Sequence, residues 1–204
     1  MTTDGLAHAA TAAMPAPVDP VASCAAGAFS QPLLALKDKS YYTLAPGGAF
    51  DSDTTDGWQF SGGASIVQDT QSDGGAGNVL DLPSGAQATS PPMCITTDYP
   101  TARAAIRNVV GGDGVYFNVQ YYRDGVWTTP KDNGRFHGEK VGWSLSPRLN
   151  IHPYKTTGWQ QVRFTFLAGG KASHFQVDDF WVDPRLRYER SIPPGFSRST
   201  RRCP

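Results

Sequence analysis

A chain of 204 residues with 39% apolar and 11% aromatic side chains has enough material for one ordinary core, so the expectation is one globular domain with excess at its ends. Eighteen basic residues balance eighteen acidic ones, which argues against a chain-wide attraction for nucleic acid or an anionic membrane. No stretch approaches the ~20 apolar residues of a membrane-spanning helix, so no membrane insertion is expected.

Residues 1–28 are rich in Ala and Pro and nearly uncharged. They read as a leader or a disordered linker: Ala7-His8-Ala9 is an A-x-A triplet, but a basic n-region and an apolar h-region are both missing. Apolar content rises from Phe29, and residues 29–185 carry the strand signals. The 22 glycines and 16 prolines fall between short runs of Val, Phe, Tyr, Thr and Trp, as turns do between strands. Tyr41 to Leu44 reads as a short strand ahead of the Pro46-Gly47-Gly48 turn, and Gly57 to Gln68 as two strands split at Gly62-Gly63. Val79, Leu80 and Leu82 mark a further segment.

Thr101 to Val109 is short for a stable helix and runs into Gly-Gly-Asp-Gly, so it reads as a strand. Val115 to Tyr122 alternates cleanly, turns at Asp124-Gly125 and returns through Val126 and Trp127, which is a hairpin pattern. Two more strands follow in VGWSLSPRLNI and GWQQVRFTFLAGG, and FQVDDFWVDP supplies the last. Eight to ten short strands with no βαβ alternation point to an all-β sandwich. Residues 186–204 form a tail in which, together with Arg185, six arginines face one glutamate; it reads as disordered, either a solvated end or a contact for an anionic surface.

Cys24, Cys94 and Cys203 allow one disulfide with one thiol left over. A Cys24–Cys94 bridge would pin the N-terminal arm to the sandwich. No CxxC or HxxxH spacing suggests zinc. Catalysis finds little support. Neighbouring aspartates on a strand point to opposite faces unless a bulge intervenes, so Asp178 and Asp179 do not by themselves form a glycosidase pair. There is no G-x-S-x-G, and His8, His137, His152 and His174 stand apart along the chain.

Binding is better supported, because aromatic rings stack on the C–H faces of sugars while neighbouring amides take the hydroxyls. Trp58, Trp159 and Trp181 are assigned to the core, leaving Trp127, Trp143 and the tyrosines. On alternation Tyr116, Asn118, Gln120 and Tyr122 share one face, opposite a core face of Val115, Phe117, Val119 and Tyr121. With Trp143 they form the expected ligand platform, and Arg103 and Arg107 are expected to border the same sheet. The alternative is that these rings only cover the sheet beneath the N-terminal arm.

LAPGGAFDSDTTDGWQFSGGASIV and GWQQVRFTFLAGGKASHFQVDDFWVDP resemble the opening and closing segments of galactose-binding-like jelly-roll domains, among them many carbohydrate-binding modules. With SPPMC and YPTARAAIRN between them, the pattern is most similar to small uncharacterised secreted proteins of actinobacteria with this fold. The resemblance implies a jelly-roll β-sandwich over about residues 29–184, a secreted or extracellular location, and a non-catalytic role on a polysaccharide or surface glycan. A structural or protein-interaction domain at the cell surface is the other reading. In such domains the opening turn and closing aspartates meet, and many hold a structural calcium there. Carried over, the ligands would be Gly48, Asp51 and Asp178 or Asp179, with Asp51 standing where glutamate is usual. The other expectation, which does not exclude a metal, is a β-bulge in which one aspartate bonds backbone N–H groups while the other faces water.

Overall fold

Along Val115–Arg123 every second side chain is apolar, and in the computed structural model these residues, Val115, Phe117, Val119 and Tyr121, are buried. The structure describes residues 28–33, 39–52, 54–97, 101–138, 142–154 and 158–183. Within them lie β1 (Thr43–Leu44), β2 (Gln59–Ser61), β3 (Ser65–Thr70), β4 (Ala76–Pro83), β5 (Gln87–Thr89), β6 (Met93–Ile95) and β7 (Thr101–Val110). The second half supplies β8 (Val115–Arg123), β9 (Val126–Trp127), β10 (Lys131–Phe136), β11 (Ser144–Leu145), β12 (Leu149–Asn150), β13 (Gln160–Ala168) and β14 (His174–Asp183). Fourteen described strands exceed the expected eight to ten: the single strand expected at VGWSLSPRLNI is two short pairings, β11 and β12, and β10, with one apolar residue in KDNGRF, leaves no alternation to read.

Two seven-stranded antiparallel sheets form a jelly-roll sandwich. The first runs β11-β7-β14-β4-β3, with β1 on β14 and β12 on β7; the second runs β10-β8-β13-β5-β2, with β6 on β13 and β9 on β8. The chain passes repeatedly from one sheet to the other, so the core is sealed by strands distant in sequence. Thr101–Val110 is a strand as expected, its buried residues being Ala102, Ala104, Ile106 and Asn108. No helix among the described residues is long and apolar enough to cross a membrane.

The core is aromatic at its centre. Phe180 lies edge-on to Phe164 and Phe166, with ring centroids 5.1 Å away in both cases, and 5.8 Å from Phe117. Simple alternation from Phe175 and Val177 would send Asp179 inward and Phe180 out. A bulge prevents this: Asp178 pairs with Ala105 but Trp181 with Arg103, so one extra residue fits into β14. Asp179 takes a left-handed backbone (φ 51°), and Phe180 and Val182 then enter the core at 0% exposure.

Two of the three tryptophans assigned to the core are placed differently. Trp58 is buried, stacked 6.0 Å from Phe166, but Trp159 and Trp181 are only partly buried. The bulge explains Trp181, which its register sets opposite Arg103 and away from Phe180. Cys94 is disulfide-bonded, while Cys24 and Cys203 lie outside the described residues, as do the basic tail and most of residues 1–28.

Truncating the ring at the core's centre leaves a cavity that rigid sheets cannot close. Phe180→Ala is expected to lower stability by about 3–5 kcal/mol. Denaturant unfolding should show a lower midpoint at unchanged slope.

Candidate functional site

Two places hold the residues singled out by sequence. The first is where the chain's opening turn meets the β14 bulge. The Gly48 carbonyl accepts the Phe180 N–H at 2.8 Å, and the Phe180 carbonyl accepts the Ala45 N–H at 3.0 Å. A Cβ on Gly48 would stand 2.9 Å from the carbonyl oxygens of Ala45 and Phe180, so only glycine permits this approach. Asp178 is buried, and both its oxygens are taken: Oδ2 by the Ser72 N–H at 2.8 Å, Oδ1 by the Asp179 N–H at 3.0 Å. The Ser72 hydroxyl donates to Asp179 Oδ2 at 2.7 Å. Asp51 is held by the Gln71 amide at 2.5 Å on Oδ1 and by Asn78 at 3.0 Å on its carbonyl.

The backbone role expected of one aspartate is therefore filled by Asp178. Asp179 is tied to Ser72 as well. No group of three or more His, Cys, Asp or Glu side chains among the described residues is gathered in a geometry that would hold a metal ion. The charges are nonetheless crowded. Burial, and then the neighbouring Asp179, pushes the Asp178 carboxyl up to about 6; burial and the charges of Asp51 and Asp73 also push Asp179 up.

The second place is the outer face of the second sheet. Strand register sets Gln120 beside Arg163, Asn118 beside Thr165 and Tyr116 beside Leu167, with Thr89 beyond Thr165 and Trp127 opposite Tyr122. Tyr116, Asn118, Gln120 and Tyr122 thus share one outward face. Thr89 and Thr165 form its buried floor, their hydroxyls 3.1 Å apart. Arg135 lies 5.6 Å over the Tyr116 ring, and Tyr122 meets Trp127 edge-on at 5.3 Å and 66°. Among the described residues the Asn118 amide, the Tyr122 hydroxyl and the Trp127 indole N–H have no protein hydrogen-bond partner.

Trp143 does not join them. It precedes β11 of the first sheet, its indole N–H donates to the Thr70 carbonyl at 2.8 Å, and Arg107 lies 5.2 Å over its ring. Arg103 and Arg107 belong to β7 and likewise border the first sheet. On that sheet's outer face Arg107 pairs with Asp69 at 2.6 Å and bonds Gln176, which donates to Asp69 and Asp81, while His174 meets Asp81 at 2.7 Å. His174, set apart in sequence, has a carboxylate partner in the fold. The Arg107 hydrogen bond, followed by that of Gln176, holds the Asp69 carboxyl down at about 2.

Arg163 and Trp127 are the residues that sequence did not place in the set. Arg163 stands between Val162 and Phe164, so its outward position was readable, but the ring it would meet depends on pairing across the hairpin. Two open clefts, of about 360 Å³ at Gln68–Thr70 with Ala76 and Gly77 and about 280 Å³ beside Ile106, Phe136 and His137, carry no tryptophan or tyrosine.

No family model and no curated protein sequence matches the chain. Among solved structures it is similar to the CBM22-1 xylan-binding domain from Paenibacillus barcinonensis Xyn10C, at 12% identity and TM-score 0.45, over 67% of this chain and 90% of that one. It is also similar to TmCBM61 in complex with beta-1,4-galactotriose, at 14% identity and TM-score 0.41, over 67% and 94%. A family 6 carbohydrate-binding module from Clostridium cellulolyticum in complex with xylose gives 12% identity and TM-score 0.39, over 59% and 87%. The reading of the site rests on its own residues.

The raised Asp178 carboxyl has a stability consequence with a definite sign. Between the ordinary value of 3.8 and about 6 the folded state keeps a proton that the unfolded chain releases, so stability falls as pH rises through this window and levels off above it. The span corresponds to about 3 kcal/mol. Asp69 works in the opposite sense, stabilising above 3.8 and losing that contribution as pH falls towards 2, outside this window. Denaturant unfolding at pH 4 and pH 7 should therefore show the fold firmer at pH 4 than the remaining carboxylates allow, and Asp178→Asn should flatten that slope.

Proposed function

We propose that this domain is a non-catalytic, secreted carbohydrate-binding module that takes a polysaccharide or surface glycan on the outer face of its second sheet. The observation that carries the reading is the set of polar ends left open there. Asn118, Tyr122 and the Trp127 indole present hydrogen-bonding groups without protein partners among the described residues, beside tyrosine rings and above a threonine floor. Sugar hydroxyls supply both donors and acceptors to such groups, and ring C–H faces pack on the aromatics. Tyr122 and Trp127 meet at 66°, so this pair does not offer the coplanar rings that the flat face of a crystalline polymer would need.

Affinity electrophoresis against a panel of soluble plant and microbial polysaccharides tests this. Tyr116→Ala and Asn118→Ala are each expected to weaken binding about three- to tenfold. Trp143→Ala, on the other sheet, should leave it unchanged. Retention by no member of the panel, or equal loss with Trp143→Ala, overturns the assignment and leaves a protein contact as the reading of this face.

Calcium at the opening turn is the second part of the proposal. Its support is the crowding of Asp51, Asp73, Asp178 and Asp179, whose mutual repulsion a hard divalent cation would relieve with oxygen ligands. Ser72 and Gln71, which now bond these carboxylates, would have to turn aside for Gly48, Asp51, Asp178 and Asp179 to act as ligands. Millimolar calcium should raise the melting temperature at pH 7, and Asp179→Asn should abolish the shift; a melt indifferent to calcium and chelator removes the ion from the proposal.

A further inference from the structure

Arg163 is held in an unusual way for a surface arginine. It stands at the middle of β13, a central strand of the second sheet, where its neighbours are β8 on one side and β5 and β6 on the other. Its guanidinium lies 4.7 Å from the centroid of the Trp127 ring, and its Nε–H donates to Gln120 Oε1 at 2.7 Å. Gln120 is itself fixed, donating through Nε2 to the Thr128 carbonyl at 2.8 Å. The guanidinium is thus oriented by a stacked ring and a side-chain amide, both neutral. Among the described residues no carboxylate pairs with it, and its two terminal nitrogens carry no protein hydrogen bond.

Of the three other arginines packed on rings among the described residues, Arg123, 5.4 Å over Tyr154 at the end of β8, has no side-chain hydrogen bond to orient it, and the remaining two are paired with carboxylates. Arg107 over Trp143 pairs with Asp69, and Arg135 over Tyr116 pairs with Asp113 at 3.1 Å. Arg163 alone of these four has its fork held in place with the acceptor side left open. A planar guanidinium end fits a planar carboxylate through two parallel N–H···O bonds, and stacking on an indole lowers the entropy lost when that pair forms. A neutral sugar hydroxyl would use only one of these donors and leave the positive charge uncompensated.

We infer that the glycan bound on this face is acidic: a polysaccharide whose sugar residues bear carboxylates, one of which docks end-on against Arg163 while its ring lies over Asn118 and Thr165. This rests on the reading of the face as a glycan site and adds the chemical class of the ligand. Asp132, opposite Asn118 on the neighbouring strand, is turned to its own backbone through the Gly134 N–H at 3.0 Å, so it does not supply the missing anion.

The test is affinity electrophoresis and calorimetry with three polymers: polygalacturonate, the same polymer fully methyl-esterified, and a sulfated polysaccharide without carboxylates. Polygalacturonate should bind about tenfold more tightly than its ester, with the difference shrinking in 0.5 M salt. Arg163→Gln should erase that difference while leaving residual binding to the ester, and Arg163→Lys should restore part of it. Arg148→Gln, which removes the same charge from a loop of the first sheet, should leave it intact. Thermal melts identify any variant that fails to fold, and the Lys variant then carries the comparison. Equal affinity for acid and ester, preference for the sulfated polymer, or an unchanged preference in Arg163→Gln overturns the carboxylate ligand while the glycan site stands. If no polymer of any charge binds, the glycan reading falls with it.

Discussion

The two N–H bonds to the Asp178 carboxylate hold the kink on which the rest of the sandwich depends. One comes from Asp179, the extra residue of the bulge, and the other from Ser72 in the turn joining β3 to β4. Together they fix the backbone where β14 changes phase, so that Phe180 enters the core and the opening turn can dock through Gly48 and Ala45. The first and last strands of the domain, the β3–β4 turn and the aromatic centre are joined at this one place. A buried carboxylate costs free energy, which its backbone bonds offset only in part, and the upward shift of its titration records the remainder. The fold tolerates that cost because the alternative, an unbulged strand, would put Asp179 where Phe180 now packs.

With the core fixed, the two outer faces of the sandwich differ in how completely they satisfy themselves. On the first sheet Asp69, Arg107, Gln176, Asp81 and His174 bond one another, and Trp143 lies against the same network with its own N–H used. Such a network has little left to offer a ligand. On the second sheet Arg135 is paired with Asp113 and Gln120 is bonded at both ends, but other polar groups are positioned and not paired: Gln120 and Trp127 hold Arg163, while Asn118 and Tyr122 have no internal partners among the described residues. Positioned, half-buried groups without partners are favourable only where water or a ligand completes them. This difference, more than the number of aromatic residues on either face, is what supports the proposed ligand face on the second sheet.

Much of this was legible in the sequence, for reasons that are local. Alternation along Val115–Tyr122 sorted both faces of β8 correctly, since a strand's period leaves no other choice, and Asp124-Gly125 marked the hairpin. The paired glycines at Gly62 and Gly63 separated β2 from β3. What the sequence did not carry was which strand pairs with which. Trp143 looks as suitable for a sugar platform as Tyr122 does, but β11 pairs with β7 and takes it to the opposite side of the molecule. Trp181 lies in the last strand, where a core position is expected, and the extra residue at the bulge sets it opposite Arg103 instead. β10 left no period to detect, with one apolar residue among the six of Lys131–Phe136. Arg163 was visible as an outward residue, but its stacking on Trp127 follows from β8 serving both β13 and β9, a fact of the whole sheet.

The equal count of acidic and basic residues in the whole chain is compatible with an acidic ligand, because charge acts locally. At physiological salt, exposed charges more than about 8 Å apart are largely screened. What a ligand meets is therefore the balance within one groove. Most of the described carboxylates near the two faces are engaged elsewhere: four crowd the opening turn, and Asp69 and Asp113 are each taken by an arginine, while Asp132, opposite Asn118, accepts the Gly134 N–H. Arg163 is left with neutral neighbours, Gln120, Trp127 and the threonine floor, none of which can cancel its charge. Among the described residues negative charge is thus gathered at the bulge of one sheet, while an arginine without a carboxylate partner stands on the face of the other.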